Sequence, residues 1–204
     1  MPQRSAQLLT LSILFFSAQV IDVAGGKGET ALRLSLNFKI PVTLVDPRVA
    51  DFLDTLKKVV VPRLPAKYQA RIMSAERGGV EGCLERLKEG GLRQVNCCFE
   101  DHVDERIVEE MNSGDVGLLC GLHSDNATEA IVKYGLANKI SFAVVPCCVF
   151  PNFFTERRII DDEGVEKQVR TVEDFVTYLC SLAEGIQVTR MQFNGRNIVV
   201  WKKF

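Results

Sequence analysis

The chain predicts an α/β fold: a seven-stranded, mostly parallel sheet with helices on both faces and a C-terminal antiparallel hairpin. Three observations lead there. Short apolar runs alternate with helix-like segments from Gln19 to Val145, and the runs are continuous, as in strands covered on both faces. A glycine-rich turn, Gly25-Gly26-Lys27-Gly28, follows the first run and leads straight into helix formers. Near the end, Asn194-Gly195-Arg196 separates two β-rich runs and marks a tight hairpin.

Each element follows in order. Residues 1–18 are expected to form an N-terminal helix that covers the sheet. Arg4 and the apolar stretch from Leu8 to Phe16 have the look of a signal peptide. Cleavage after Ala18 would strip the strand that starts at Gln19, however, and the run is too short to span a bilayer. A strand over 19–23 leads to a helix near 28–38, then a strand over 42–46. A helix near 48–59 stops before Pro62 and Pro65, and residues 60–79 read as irregular and charged up to Gly78-Gly79. A helix near 80–89 ends at Gly90-Gly91. Strand 93–99, helix 103–112, strand 116–121, helix 125–138 and strand 141–145 come next, and Pro146 halts the last. Residues 150–170 read as a long loop with an acidic turn at Asp161-Asp162-Glu163-Gly164. Helix 171–184 opens on Thr171 with Asp174 three residues on, an approximate capping box. Strands 187–193 and 197–203 close the chain. The 204 residues fit one domain, 1–204, without internal repeats.

Composition narrows the partners. With 25 basic and 26 acidic residues the net charge is −1, so no global basic field exists of the kind nucleic-acid binders often carry. The local clusters Arg157-Arg158 and Arg63 to Arg71 read as solvated faces. Seven cysteines include two adjacent pairs, Cys97-Cys98 and Cys147-Cys148. An odd count within apolar runs points to reduced thiols in an intracellular, most simply cytoplasmic, protein rather than to a disulfide framework. No membrane association is expected.

The candidate chemistry lies at the carboxyl ends of the strands, where open parallel sheets bind ligands. The glycines let backbone approach a ligand, and the helix that follows offers unpaired N–H groups. Asp22, just before the turn, would repel a pyrophosphate but suits an ammonium group. Asp46, ending the second strand, can accept two hydrogen bonds from a ribose diol. Asp101, or its neighbour Glu100, can accept from an adenine amino group. His123-Ser124-Asp125 ends the fourth strand.

Asp22-Val23-Ala24-Gly25-Gly26-Lys27-Gly28 resembles the first motif of the class I S-adenosylmethionine-dependent methyltransferases, whose sheet is Rossmann-like. One departure is Ala24, where that motif has its first glycine; alanine suits the position if its φ is negative. A second match, Gly121-Leu122-His123-Ser124-Asp125-Asn126-Ala127-Thr128-Glu129 with the later Pro146-Cys147-Cys148, is similar to one eukaryotic branch. That branch is the methyltransferase-domain group related to the tRNA 2′-O-methyltransferase of the acceptor stem. The resemblance implies S-adenosyl-L-methionine as cofactor and leaves the acceptor open between RNA and protein, favouring RNA, with partner proteins as a further expectation. It implies a cofactor site of Asp22, Ala24, Gly25, Gly26, Gly28, Asp46, Glu100, Asp101 and Leu122. On the acceptor side it implies His123 as base or orienting group, with Cys147 and Cys148 lining the pocket.

Other readings stand beside these. His123 can simply fix its loop. The cysteines can act as nucleophile, or as zinc ligands with His123 and His102, but no Cys-x-x-Cys spacing exists and no metal is expected. Phe150, Phe153 and Phe154 can stack on a base or anchor their loop. Gly26-x-Gly28-x-x-Ala31 with Asp46 also satisfies a nicotinamide dinucleotide fingerprint, against which Asp22 and the terminal hairpin count. A non-catalytic methyltransferase-like scaffold is the reading from a different class.

Overall fold

The computed structural model describes residues 18–100, 104–112, 116–161 and 163–204. Residues 1–17 of the N-terminal helix expected over 1–18 lie outside them, as do Asp101 and His102, and Ala18 is not helical. Strands β1 (Gln19–Val23), β2 (Val42–Val45), β3 (Leu92–Val95), β4 (Val116–Leu122) and β5 (Ser141–Val145) pair in parallel. A small hairpin, β6 (Arg158–Ile160) and β7 (Glu166–Gln168), forms a separate two-stranded sheet. Strands β8 (Gln187–Arg190) and β9 (Ile198–Lys202) complete the main sheet in the order β3-β2-β1-β4-β5-β9-β8, with β9 antiparallel to both neighbours. This is the seven-stranded, mostly parallel architecture the sequence predicts. Strand order reverses between β1 and β4, which opens a crevice at their carboxyl ends.

The helices are α1 (Glu29–Phe38), α2 (Phe52–Thr55), α3 (Ala66–Met73), α4 (Gly79–Glu89), α5 (Glu105–Asn112), α6 (Ala127–Asn138) and α7 (Val172–Ser181). They cover the sheet in two layers because strand side chains alternate. Val20 of β1 packs with Ala31 and Leu32 of α1, Leu44 of β2, and Leu84 and Leu87 of α4. Ile21 and Val23 pack on the other face with Ile107 of α5, Ile131 of α6, and Phe175 and Leu179 of α7. The same alternation turns Asp22 toward α1. Among the described residues no helix is long and apolar enough to cross a membrane.

Several boundaries differ from the sequence expectation. The helix expected over 48–59 starts at Phe52, where the Asp51 side chain caps it by accepting from Asp54 N at 2.9 Å. It then widens into a π turn, Leu56–Val60, and tightens into a 3₁₀ turn, Val61–Arg63, around Pro62. The stretch expected to be irregular contains α3, a short helix of low apolar content that buries only Ile72. The third strand stops at Val95 instead of residue 99, because Asn96 turns its side chain to the main chain of Asp46 and Arg48. The terminal hairpin has a longer loop than Asn194-Gly195-Arg196 alone: Asn197 Nδ2 donates to Met191 O (3.0 Å) and Phe193 O (2.9 Å), closing residues 191–197. The capping box at Thr171 and Asp174 is present, with both reciprocal hydrogen bonds.

Candidate active site

Strand β1 delivers Asp22 to the carboxyl edge fully buried. Its Oδ2 accepts from Ala31 N at 3.1 Å, and its Oδ1 from the Cys120 thiol at 3.7 Å. Burial pushes its pKa up to about 7 against the opposing pull of those two hydrogen bonds. Gly25 lies directly over the carboxylate: a Cβ there would stand 2.4 Å from Oδ2 and 2.6 Å from Leu44 Cδ1. Asp22 therefore braces the glycine turn from beneath.

The turn itself is tightly bent. Ala24 has φ 54°, not the negative value that suits alanine, because the chain must reverse at once between β1 and α1. That conformation costs an L-residue about 1–2 kcal/mol; the Ala24 N–H offsets part of it by donating to Val45 O at 2.7 Å. Gly28, with φ 75°, caps α1, and a Cβ there would collide with the Phe52 ring at 2.4 Å. Only glycine fits that position.

Asp46 ties the turn to β2. Its buried Oδ2 accepts from Gly26 N at 2.9 Å, and its Oδ1 from Arg48 N at 2.9 Å and Arg48 Nε at 3.0 Å. Burial raises its pKa, but the guanidinium and the two backbone N–H groups outweigh it and hold the carboxyl below its ordinary value. The Arg48 side chain is 77% exposed and arches over Gly26. Behind it, Gln94 Nε2 and Asn96 Nδ2 donate to Arg48 O, and Asn96 also donates to Asp46 O. Arg48, Gln94 and Asn96 were not anticipated; the Asp46-Pro47-Arg48 spacing was the available signal for the first. Glu100 lies five positions beyond β3 and is exposed, away from the strand end where it was expected.

The opposite wall comes from β4 and β5. Leu122 ends β4, 46% exposed, and pairs with Val145. His123 follows with φ 57° and its N–H on Val145 O at 3.3 Å. Its exposed imidazole makes no hydrogen bond among the described residues. Asp125, also exposed, accepts from the Cys147 thiol on Oδ1 at 3.2 Å, and the Cys147 and Cys148 sulfurs are 3.6 Å apart. Burial, then the Asp125 and Cys148 contacts, push the Cys147 thiol up to about 12, so it stays protonated and is a poor nucleophile as it stands. Arg48 is near enough to Asp125 to feel its charge. The two walls thus face each other across the crevice.

A buried arginine fixes the cysteine segment. Arg157 Nη1 donates to Val149 O at 3.0 Å and Nε to Glu129 Oε2 at 2.6 Å. Its guanidinium lies over the rings of Phe154 (3.6 Å) and Phe175 (4.5 Å). Phe154 is therefore a loop anchor, whereas Phe153 is 81% exposed.

No family model matches the chain, and no curated protein sequence matches it. Solved structures resemble it in fold. One is the methyltransferase domain of bacterial CtHen1-CN, at 14% identity and TM-score 0.45, covering 99% of this chain and 98% of that one. An rRNA methylase from Streptococcus thermophilus aligns at 11% identity and TM-score 0.48, covering 100% and 99%. The 1,6-didemethyltoxoflavin-N1-methyltransferase of Burkholderia thailandensis, solved with its substrate and S-adenosylhomocysteine, aligns at 13% identity and TM-score 0.46, covering 98% and 78%.

Proposed function

We propose that this chain is an S-adenosyl-L-methionine-dependent methyltransferase. The observation that carries the reading is the Asp46 carboxylate, buried at the end of β2, hydrogen-bonded to Gly26 of the turn, and set beside the reversal of strand order. A ribose diol can bind such a carboxylate once the exposed Arg48 side chain swings aside. The Ala24 to Gly28 backbone would cradle the methionine part, with Asp22 holding that backbone in shape from below. Asn96, at the end of β3, would stand near the base. Leu122, at the end of β4 on the opposite wall, would offer apolar surface to the cofactor from that side. When bound, the cofactor supplies an electrophilic methyl group on a sulfonium. His123 would orient the acceptor and take its proton on the imidazole, whose hydrogen-bonding capacity is free among the described residues. The half-buried Cys147 and Cys148 would line the acceptor pocket.

RNA is the favoured acceptor. A groove of about 550 Å³ between α1, α3 and α4, at the end of α1 away from the glycine turn, is lined by Lys39, Arg71, Arg77 and Arg86 with Tyr68, a set that would hold phosphates of an extended RNA at a distance from the methyl group. The second reading, a non-catalytic scaffold, has one observation in its favour: Arg48 already occupies the Asp46 carboxylate. Incubating the protein with methyl-labelled S-adenosylmethionine and fractionated RNA, protein or small-molecule extracts separates the two. Label in the RNA fraction supports the enzyme. Cofactor binding without label in any fraction favours the scaffold, and retention of NAD in place of S-adenosylhomocysteine overturns both.

A further inference from the structure

The wall formed by the loops after β4 and β5 brings together three metal-ligating groups. Cys147 Sγ is 3.6 Å from Cys148 Sγ and 3.2 Å from Asp125 Oδ1, and all three donor atoms lie within 4.8 Å of one another. Tetrahedral zinc takes sulfur at about 2.3 Å and carboxylate oxygen at about 2.0–2.2 Å, so two bound sulfurs stand about 3.8 Å apart and a sulfur and an oxygen about 3.5 Å apart. The two hydrogen-bonded separations are within a few tenths of an ångström of those edges. The widest one, at most 4.8 Å, has to shorten by about 1 Å for all three to share one ion.

We propose that Asp125, Cys147 and Cys148 form a site for a thiophilic divalent cation of the zinc class, with a fourth coordination position left for solvent or an acceptor group. The backbone holds the ligands in place. Asp125 sits at φ 48°, its carbonyl accepting from Thr128 Oγ1 at 2.9 Å. The cysteine segment is fixed between the end of β5 and Val149, whose carbonyl the buried Arg157 holds. Adjacent cysteines project to opposite sides in extended chain; here, past the strand, both sulfurs reach the same carboxylate region. Binding forms two metal–sulfur bonds and one metal–oxygen bond and releases two thiol protons to solvent; no electron changes hands. Two thiolates and a carboxylate leave one surplus negative charge on a dication, which solvent screens because Asp125 is exposed.

The test is a cobalt(II) titration of the reduced full chain, with zinc displacement. The expected result is one equivalent bound with sulfur-to-cobalt charge-transfer absorption, displaced by zinc. Cys147→Ser, Cys148→Ser and Asp125→Asn should each weaken binding by about 100-fold or more, beyond the loss that outer partners of a metal cause. Cys98→Ser, which removes an exposed thiol elsewhere, should leave it unchanged. Zinc should also raise the melting temperature of the wild type and not that of Asp125→Asn, with circular dichroism confirming that the metal-free variants fold. Absence of thiolate absorption at one equivalent in the wild type overturns the site, whatever the variants do. So does undiminished affinity in Cys148→Ser, or its loss in Cys98→Ser.

Discussion

Removing the two partners of the buried Arg157–Glu129 pair one at a time should give unequal losses. Glu129 is bound three ways: by Arg157 Nε at 2.6 Å, by Lys133 Nζ at 2.7 Å and by Tyr178 Oη at 2.8 Å. Burial alone would raise its pKa, but those partners together hold it below the ordinary value. Arg157→Met therefore leaves the carboxylate paired, and methionine refills part of the slot between Phe154 and Phe175. Breaking a buried pair costs about 3–5 kcal/mol, and this variant belongs at the low end. Glu129→Gln leaves the buried guanidinium with neutral acceptors alone, Val149 O and the amide oxygen, and no compensating charge, while Arg157 Nη2 already lacks a partner among the described residues. It belongs at the high end, so the two should differ by about 2 kcal/mol. The double variant should lose far less than the single losses combined, because no charge is then stranded. Urea unfolding, followed by circular dichroism and Trp201 fluorescence at constant m-value, measures all three. If Arg157→Met costs as much as Glu129→Gln, the reasoning fails.

The remaining predictions concern the turn and its acids. Asp22 has a folded pKa of about 7, above its ordinary 3.8, so the native state keeps a proton that the unfolded chain releases between those values. Stability should therefore fall as pH rises from about 4 to 7, by up to about 4 kcal/mol, and flatten above. Asp22→Asn should remove that slope; parallel melting-temperature profiles for variant and wild type would count against it. Gly25→Ala forces a methyl onto Asp22 Oδ2 and Leu44, so it should cost about 1–3 kcal/mol and weaken S-adenosylhomocysteine binding in calorimetry. An undiminished melting temperature would contradict that. Arg48→Ala should tighten the same binding, most at low salt, since an exposed cation no longer competes for Asp46. Weaker binding would instead make Arg48 a ligand contact.

Much of the fold was legible because its signals are local. Strand β1 is buried on both faces, so it reads as an apolar run broken only by Asp22; the α7 cap is a three-residue pattern. The end of β3 was not legible. Cys97 and Phe99 are buried in the core from a loop, so hydrophobicity continues after the ladder has stopped. The strand-end acid Asp46 could be picked out by position along the chain. Arg48 arching over Gly26, and Asp125 meeting Cys147 across 22 positions, depend on which strands lie side by side. Ala24 at positive φ follows from the sharpness of the turn, which residue types alone do not dictate.

Calorimetric titration of S-adenosylhomocysteine into the wild type and Asp46→Asn tests the central claim most directly. The account predicts binding of one equivalent to the wild type. In the variant it predicts affinity lower by about tenfold, since one charged hydrogen-bond acceptor for the ribose is lost. No binding to the wild type, or equal binding to both, would contradict it.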